Sequence, residues 1–297
     1  MAFKIPLPTA RYALPHEEEK MRQILHVKPR NTKQGGDETA MGQLDAILTL
    51  TGRSALITGG ASGMGRAASL LFAAHGAHVI IVDRNGEGAD DTVEEIRRMG
   101  GSAEAHKVDL VDQNALDGFV DTFVRDHQVL DILFNHAGLP GPPAFQYDAE
   151  SWYTCMAINV WVPMILTKRL LPQLRRSKSA SIICTASIAG LRAVSFLPTY
   201  SASKAALIQF VKSAAQMLAA EGIRINAICP GATDTPALRR DLSDGTLNTT
   251  IEAIAASVPM KRMGTPQDMA RMALFLASDA SSFMTGVAIP VDGGATA

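Results

Sequence analysis

From residue 54 onward, the hydrophobic positions of this chain fall into short and almost uninterrupted runs. Ser54-Ala-Leu-Ile-Thr58, His78-Val-Ile-Ile-Val-Asp83, Asp131-Ile-Leu-Phe-Asn135, Ser181-Ile-Ile-Cys-Thr185 and Ile223-Arg-Ile-Asn-Ala-Ile-Cys229 are too short for helices. They lack the alternation of a half-wet strand, so they read as strands covered on both faces. Weaker runs at 103–108 and 288–291 complete the set. Between them lie stretches with helical spacing, over 65–75, 90–99, 114–126, 150–170, 200–221 and 266–277. Strands alternating with helices predict an α/β fold: a doubly wound, Rossmann-like parallel sheet with helices on both faces. The stretch 236–260 mixes polar and apolar residues and reads as a lid with one or two short helices.

Residues 1–50 lack this rhythm. They carry Pro6, Pro8, Pro15 and Pro29, the polar run Asn31-Thr-Lys-Gln-Gly-Gly-Asp-Glu, and one candidate helix over 16–25. They read as an N-terminal arm, with one catalytic domain over 51–297.

The formal net charge of -1 supplies no field for nucleic acid or an anionic membrane, so neither partner is expected. No apolar run reaches the ~18 residues of a membrane span. The start of the chain lacks a signal-peptide pattern, and a cytoplasmic location is expected. Cys155, Cys184 and Cys229 are scattered, fit no metal spacing and suggest a reducing compartment, so no metal is expected.

Two stretches carry chemistry. Thr58-Gly59-Gly-Ala-Ser62-Gly63-Met64-Gly65 joins the first strand to the first helix. Glycines there let the backbone approach a pyrophosphate, and the helix start offers unpaired N–H groups. Asp83 ends the second strand, where a carboxylate accepts from the adenosine ribose hydroxyls and repels a 2′-phosphate. NAD is therefore expected over NADP, although Arg84 would suit that phosphate. The second stretch is Tyr200-Ser-Ala-Ser-Lys204, which sets a phenol and an ammonium one helical turn apart. The ammonium is expected to draw the phenol down from about 10, towards the range where it moves protons. Alone, such a pair arises by chance.

In order along the chain, T-G-x-x-x-G-x-G, Asn135-His-Ala137-Gly138, Ser187 and Tyr200-x-x-x-Lys204 resemble the short-chain dehydrogenase/reductase family from Leu50 to the C-terminus. The resemblance implies a catalytic set of Asn159, Ser187, Tyr200 and Lys204. It implies a cofactor site of Gly59, Ser62, Gly63, Met64, Gly65, Asp83, Arg84, Asp109, Leu110, Asn135, Ala137, Gly138, Tyr200, Lys204, Pro230, Gly231, Thr233 and Thr235. Ser187, Ile188, Leu191 and Tyr200 are the implied substrate contacts. His136 replaces the family's usual asparagine and reads as a structural substitution. Relatives of this size are homo-oligomers, tetramers or dimers, built on the helices at 150–170 and 200–221.

The expected reaction is NAD-dependent interconversion of a secondary alcohol, cyclic or polyol, and its ketone. Tyr200 is then the general acid/base. The alternatives are a 3-oxoacyl thioester reductase using NAD(P)H and a non-catalytic dinucleotide-binding regulator.

Overall fold

The computed structural model describes residues 47–194 and 196–297. The candidate helix at 16–25 lies outside them. Seven parallel strands form one sheet among the described residues: β1 (Ser54–Thr58), β2 (His78–Asp83), β3 (Ser102–Lys107), β4 (Ile132–Asn135), β5 (Ser181–Thr185), β6 (Arg224–Pro230) and β7 (Ala288–Val291). Their order is β3-β2-β1-β4-β5-β6-β7. The chain winds outward from β1 to β3, then crosses back to β4 on the other side of β1. The crevice at that reversal, above the carboxyl ends of β1 and β4, is where such sheets bind ligands.

Strand alternation explains the two layers. Leu56, Ile80, Val82 and Leu133 point to one face and pack with α3 (Gln113–Asp126), α5 (Val162–Leu174) and α6 (Pro198–Leu218). Ala55, Ile57, Val79, Ile81, Ile132 and Phe134 point to the other and pack with α1 (Gly63–Ala74), α2 (Gly86–Arg98) and α9 (Pro266–Ala277). Both faces are dry, so β1, β4, β5 and β6 have no register at which a charged side chain could face water. β3 lies at the edge and carries the polar sequence Ser-Ala-Glu-Ala-His-Lys, which discourages pairing with another sheet.

Helix boundaries move where caps decide them. The second helix starts at Gly86, earlier than its apolar spacing indicates, because the Asn85 side chain accepts from the Gly88 N–H. The helix expected over 150–170 divides into α4 (Ala149–Met156), one π turn over Ala157–Trp161, and α5. The Val162 N–H reaches back five residues to the Ala157 carbonyl. Pro163, next along, has no N–H to offer the Asn159 carbonyl, so the α-helical ladder slips by one residue here. The lid stretch holds two short helices, α7 (Pro236–Ser243) and α8 (Ile251–Ser257). Among the described residues, no helix is long and apolar enough to cross a membrane.

Candidate active site

The site lies along the carboxyl ends of β1, β2, β4, β5 and β6. The turn after β1 is shaped by close approach. A Cβ on Gly65 would lie 2.0 Å from the Gly59 carbonyl oxygen, and one on Gly59 would lie 3.1 Å from Ala137 Cα. Gly59 and Gly63 both hold positive φ, which favours glycine. Ser62 is the N-cap residue of α1, yet its side chain makes no capping bond. The first N–H groups of α1 therefore stay available to an anion. Met64 packs partly buried against the core below.

Asp83, at the end of β2, is held on both oxygens. One accepts from the Ala61 N–H at 3.1 Å and the other from the Asn85 N–H at 2.9 Å. Arg84 beside it is exposed. Asp109 accepts from the Val111 N–H, while Leu110 is buried in the core. Asn135 is buried, and its Oδ1 has no partner. After β6, Gly231 packs so close that a Cβ would meet Asp292 Cα at 2.8 Å. Pro230 pairs with Val291 across the last strands. Thr233 donates its hydroxyl back to the Gly231 carbonyl at 3.0 Å, and its side chain serves that turn. Thr235 caps α7 and lies 3.7 Å from the Cβ position of Gly63, which closes the turn from above.

The second half of the site forms around Lys204. Its Nζ donates to the Thr185 carbonyl at 2.8 Å and stands 5.5 Å from the Tyr200 ring centroid. Lys204 is buried, and loss of water draws it down to about 8. Tyr200 is partly exposed as a residue, but burial of its phenol pushes the group up to about 12. The Ser187 hydroxyl facing it acts in the opposite direction. The expectation that Lys204 draws the phenol downward is not met. Desolvation of both groups is the larger effect, and the ammonium is committed to a carbonyl.

Asn159, in the π turn, is fully buried. Its Oδ1 accepts from the Leu139 N–H at 3.1 Å, and its Nδ2 donates to the Leu139 carbonyl at 2.8 Å and to Ser203 Oγ at 3.1 Å. A Cβ on Gly138 would meet Asn159 Oδ1 at 2.7 Å and Lys204 Nζ at 3.3 Å, so these three residues are in one place. Ile188 follows Ser187 in a short 3-10 turn, and Leu191 is exposed beyond it. The Ala144 N–H bonds the Phe196 carbonyl at 2.8 Å, tying the loop after β4 to the loop after β5. Leu191, Phe196, Phe145 and Tyr147 are exposed on these loops. Nearby, Leu139, Pro140, Gly141, Pro142, Thr154 and Cys155 help line a cavity of about 440 Å³.

Comparison with known proteins bears on this arrangement. A family model described as enoyl-(acyl carrier protein) reductase matches residues 59–296. The dehydrogenase LinX of Sphingobium indicum, named for 2,5-dichloro-2,5-cyclohexadiene-1,4-diol, is 37% identical over 246 residues, 82% of this chain and 96% of its own. A solved 7α-hydroxysteroid dehydrogenase, complexed with NADH and 7-oxo glycochenodeoxycholic acid, superposes with a TM-score of 0.78 at 32% identity, covering 84% of this chain and 96% of that one. RhlG of Pseudomonas aeruginosa, solved with NADP, gives a TM-score of 0.77 at 34% identity, covering 84% and 98%. The chain belongs to the short-chain dehydrogenase/reductase family.

This short-chain dehydrogenase/reductase is an oxidoreductase of the type that acts on CH–OH groups. The structure also gives contacts to polar residues to which the motifs assign no role. Thr58 Oγ1 accepts from the N–H groups of His136 and Ala137, at 2.9 and 3.0 Å, and so fixes the end of β4 to the end of β1. Thr185 holds Lys204. Ser203 links Asn159 to the Tyr200 carbonyl, which its hydroxyl reaches at 2.7 Å. Position contains the signal in each case. Thr58 and Thr185 are the last residues of buried strands, and Ser203 lies one turn after Tyr200. The three cysteines are free and buried, with burial pushing Cys184 up to about 12 and Cys229 up to about 11, so they behave as core residues.

Proposed function

We propose that this protein interconverts a secondary alcohol, cyclic or polyol, and its ketone, with NAD as the hydride carrier and Tyr200 as the general acid/base. The observation carrying this reading is the meeting of Ser187, Tyr200 and the buried Lys204 beside Gly138. The crevice fits a dinucleotide. The glycine turn has no room for a Cβ at Gly65, the start of α1 is uncapped, and Asn135 presents an unpaired buried oxygen. Gly59 to Gly65, Asp83, Asp109, Leu110, Asn135 to Gly138, and Pro230 to Thr235 would hold it. Asp83, fixed by two backbone N–H groups, favours ribose hydroxyls over a 2′-phosphate and hence NAD.

A nicotinamide held there would supply the hydride acceptor for oxidation and the hydride donor for reduction. Ser187 and Tyr200 hold the substrate oxygen. Tyr200 gives its proton to a ketone oxygen or takes one from an alcohol. Lys204, charged below about pH 8, adds a positive charge next to that exchange. At neutral pH the phenol is protonated, the form that gives a proton to a ketone oxygen, and its deprotonated share, the form that takes one from an alcohol, grows as pH rises. Asn159 keeps Leu139 and Ser203 in place around the pair.

The substrate reading rests on the rim. Arg239 is committed to Asp234 through two bonds of 2.6 Å, so it is not free to meet a carboxylate. Leu191, Phe196, Phe145 and Tyr147 favour an apolar ring instead. Trp152, Tyr153, Trp161 and Met164, exposed between Ala149 and Leu174, support a symmetric homo-oligomer. Tyr200→Phe tests the assignment: turnover of a panel of cyclic and acyclic secondary alcohols falls by about 10³-fold or more, while NAD affinity stays within about threefold. Preference for NADPH with 3-oxoacyl thioesters, or tight NAD binding without turnover of any substrate, would overturn the reading.

A further inference from the structure

His136 departs from the family's motif, and its contacts run in two directions. On one side, its imidazole edge fills the space beside the glycine turn. A Cβ on Gly65 would lie 2.7 Å from His136 Cδ2, and one on Gly59 would lie 3.3 Å away. On the other side, Nδ1 is 2.9 Å from Thr185 Oγ1, and the carbonyl of that same threonine takes the Lys204 ammonium at 2.8 Å. The residue's own N–H is held by Thr58 at the end of β1. Phe134 steadies the ring from within the core, with centroids 5.3 Å apart. One residue thus meets the end of β1 through its main chain, and the end of β5 and the first turn of α1 through its side chain, while standing at the end of β4.

We propose that His136 is a positioning residue that holds the glycine turn and the Lys204 anchor at a set separation. It joins the dinucleotide side of the crevice to its proton-handling side. The inference rests on the reaction proposed above. Neutrality suits the role: burial and the nearby ammonium draw the imidazole down to about 4, so it stays uncharged beside Lys204. A charged ring would repel the ammonium that it helps to place.

Three variants separate the two contacts. Leucine places carbons near the Nδ1 and Cδ2 positions, so it keeps the support under the glycines and drops the bond to Thr185. Asparagine keeps a polar atom at the Nδ1 position, and alanine keeps neither contact. Dinucleotide Kd by titration calorimetry and kcat are read on the full-length protein. His136→Ala raises Kd by about tenfold, through lost packing contacts under the turn. His136→Leu leaves Kd within about twofold but lowers kcat about five- to tenfold, as expected for one lost hydrogen bond. His136→Asn restores both to near the wild-type values. Equal losses of Kd and kcat in the leucine and alanine variants overturn the inference, as does wild-type behaviour in the alanine variant. If the wild-type protein turns over no alcohol or ketone, the proposed reaction fails, and the Kd comparison of alanine with leucine still decides the role of His136.

Discussion

Replacing Lys204 by methionine should make the protein more stable at neutral pH while it removes turnover. An ordinary lysine titrates near 10.5, and burial draws Lys204 down to about 8. Keeping it charged at pH 7 therefore costs the fold about 3 kcal/mol. Methionine fills a similar volume without charge, but it leaves the Thr185 carbonyl without its donor, a loss of about 1–2 kcal/mol. The net gain is about 1–2 kcal/mol, or roughly 2–6 °C in Tm for a domain of this size. The sign depends on pH. Below about 8 the lysine is charged folded and unfolded, and the penalty is complete. Between about 8 and 10.5 the folded lysine sheds its proton while the unfolded one keeps it, so the wild type gains stability as pH rises. The advantage of the variant should shrink across that window and reverse above it, where only the lost hydrogen bond counts. Paired thermal melts by circular dichroism from pH 6 to pH 11 test this. A variant that melts below the wild type at pH 7, or a difference that does not change with pH, refutes the reasoning.

Other perturbations follow from the same geometry. Gly65→Ala forces a Cβ to within 2.0 Å of the Gly59 carbonyl, which is backbone and cannot rotate away. Dinucleotide affinity should fall by more than about tenfold and stability by about 1–3 kcal/mol, measured by calorimetry and by urea unfolding. Gly118, exposed within α3, has nothing within 4 Å of its Cβ position, so Gly118→Ala should raise stability by about 0.5–1 kcal/mol in the same unfolding assay. Arg224 is buried at the start of β6 and donates to the Leu276 and Ser278 carbonyls and to Ser281 Oγ, closing the end of α9. Arg224→Met strands those acceptors and should cost about 2–4 kcal/mol, seen as a lower urea midpoint with an unchanged m-value.

The strands were legible because a sheet covered on both faces demands uninterrupted apolar runs, and five of the seven have them. The order of the strands was legible only as a class of topology. The glycine turn, Asp83, Ser187 and the Tyr200–Lys204 pair stand out in the sequence as candidates because each follows or ends such a run or opens a helix. Three features could not. The π turn at Ala157–Trp161 depends on Pro163 failing to donate to a carbonyl four residues back, while the apolar spacing around it continues as in an ordinary helix. The titration of Tyr200 and Lys204 depends on how much water each loses, which belongs to the packed molecule and not to their spacing. His136 could be read as a departure from a motif, but its partner Thr185 lies 49 residues away and meets it only because β4 pairs with β5.

That pairing also explains why the polar groups collect where they do. Along β1, β4 and β5 both faces are dry, so a polar side chain can be accommodated only where the strand leaves the sheet. Thr58, Asn135 and Thr185 are the last residues of those three strands, and Lys204 reaches the third from α6. The bonds form one continuous line: Thr58 holds His136, His136 meets Thr185, and Thr185 holds Lys204. Each link joins one element to the next, and the first of them crosses the reversal between β1 and β4. A shift of any one strand by a single residue would turn its terminal polar group into the core and break the line. The arrangement of the candidate site is therefore coupled to strand register, and substitutions at Thr58 or Thr185 should disturb Lys204.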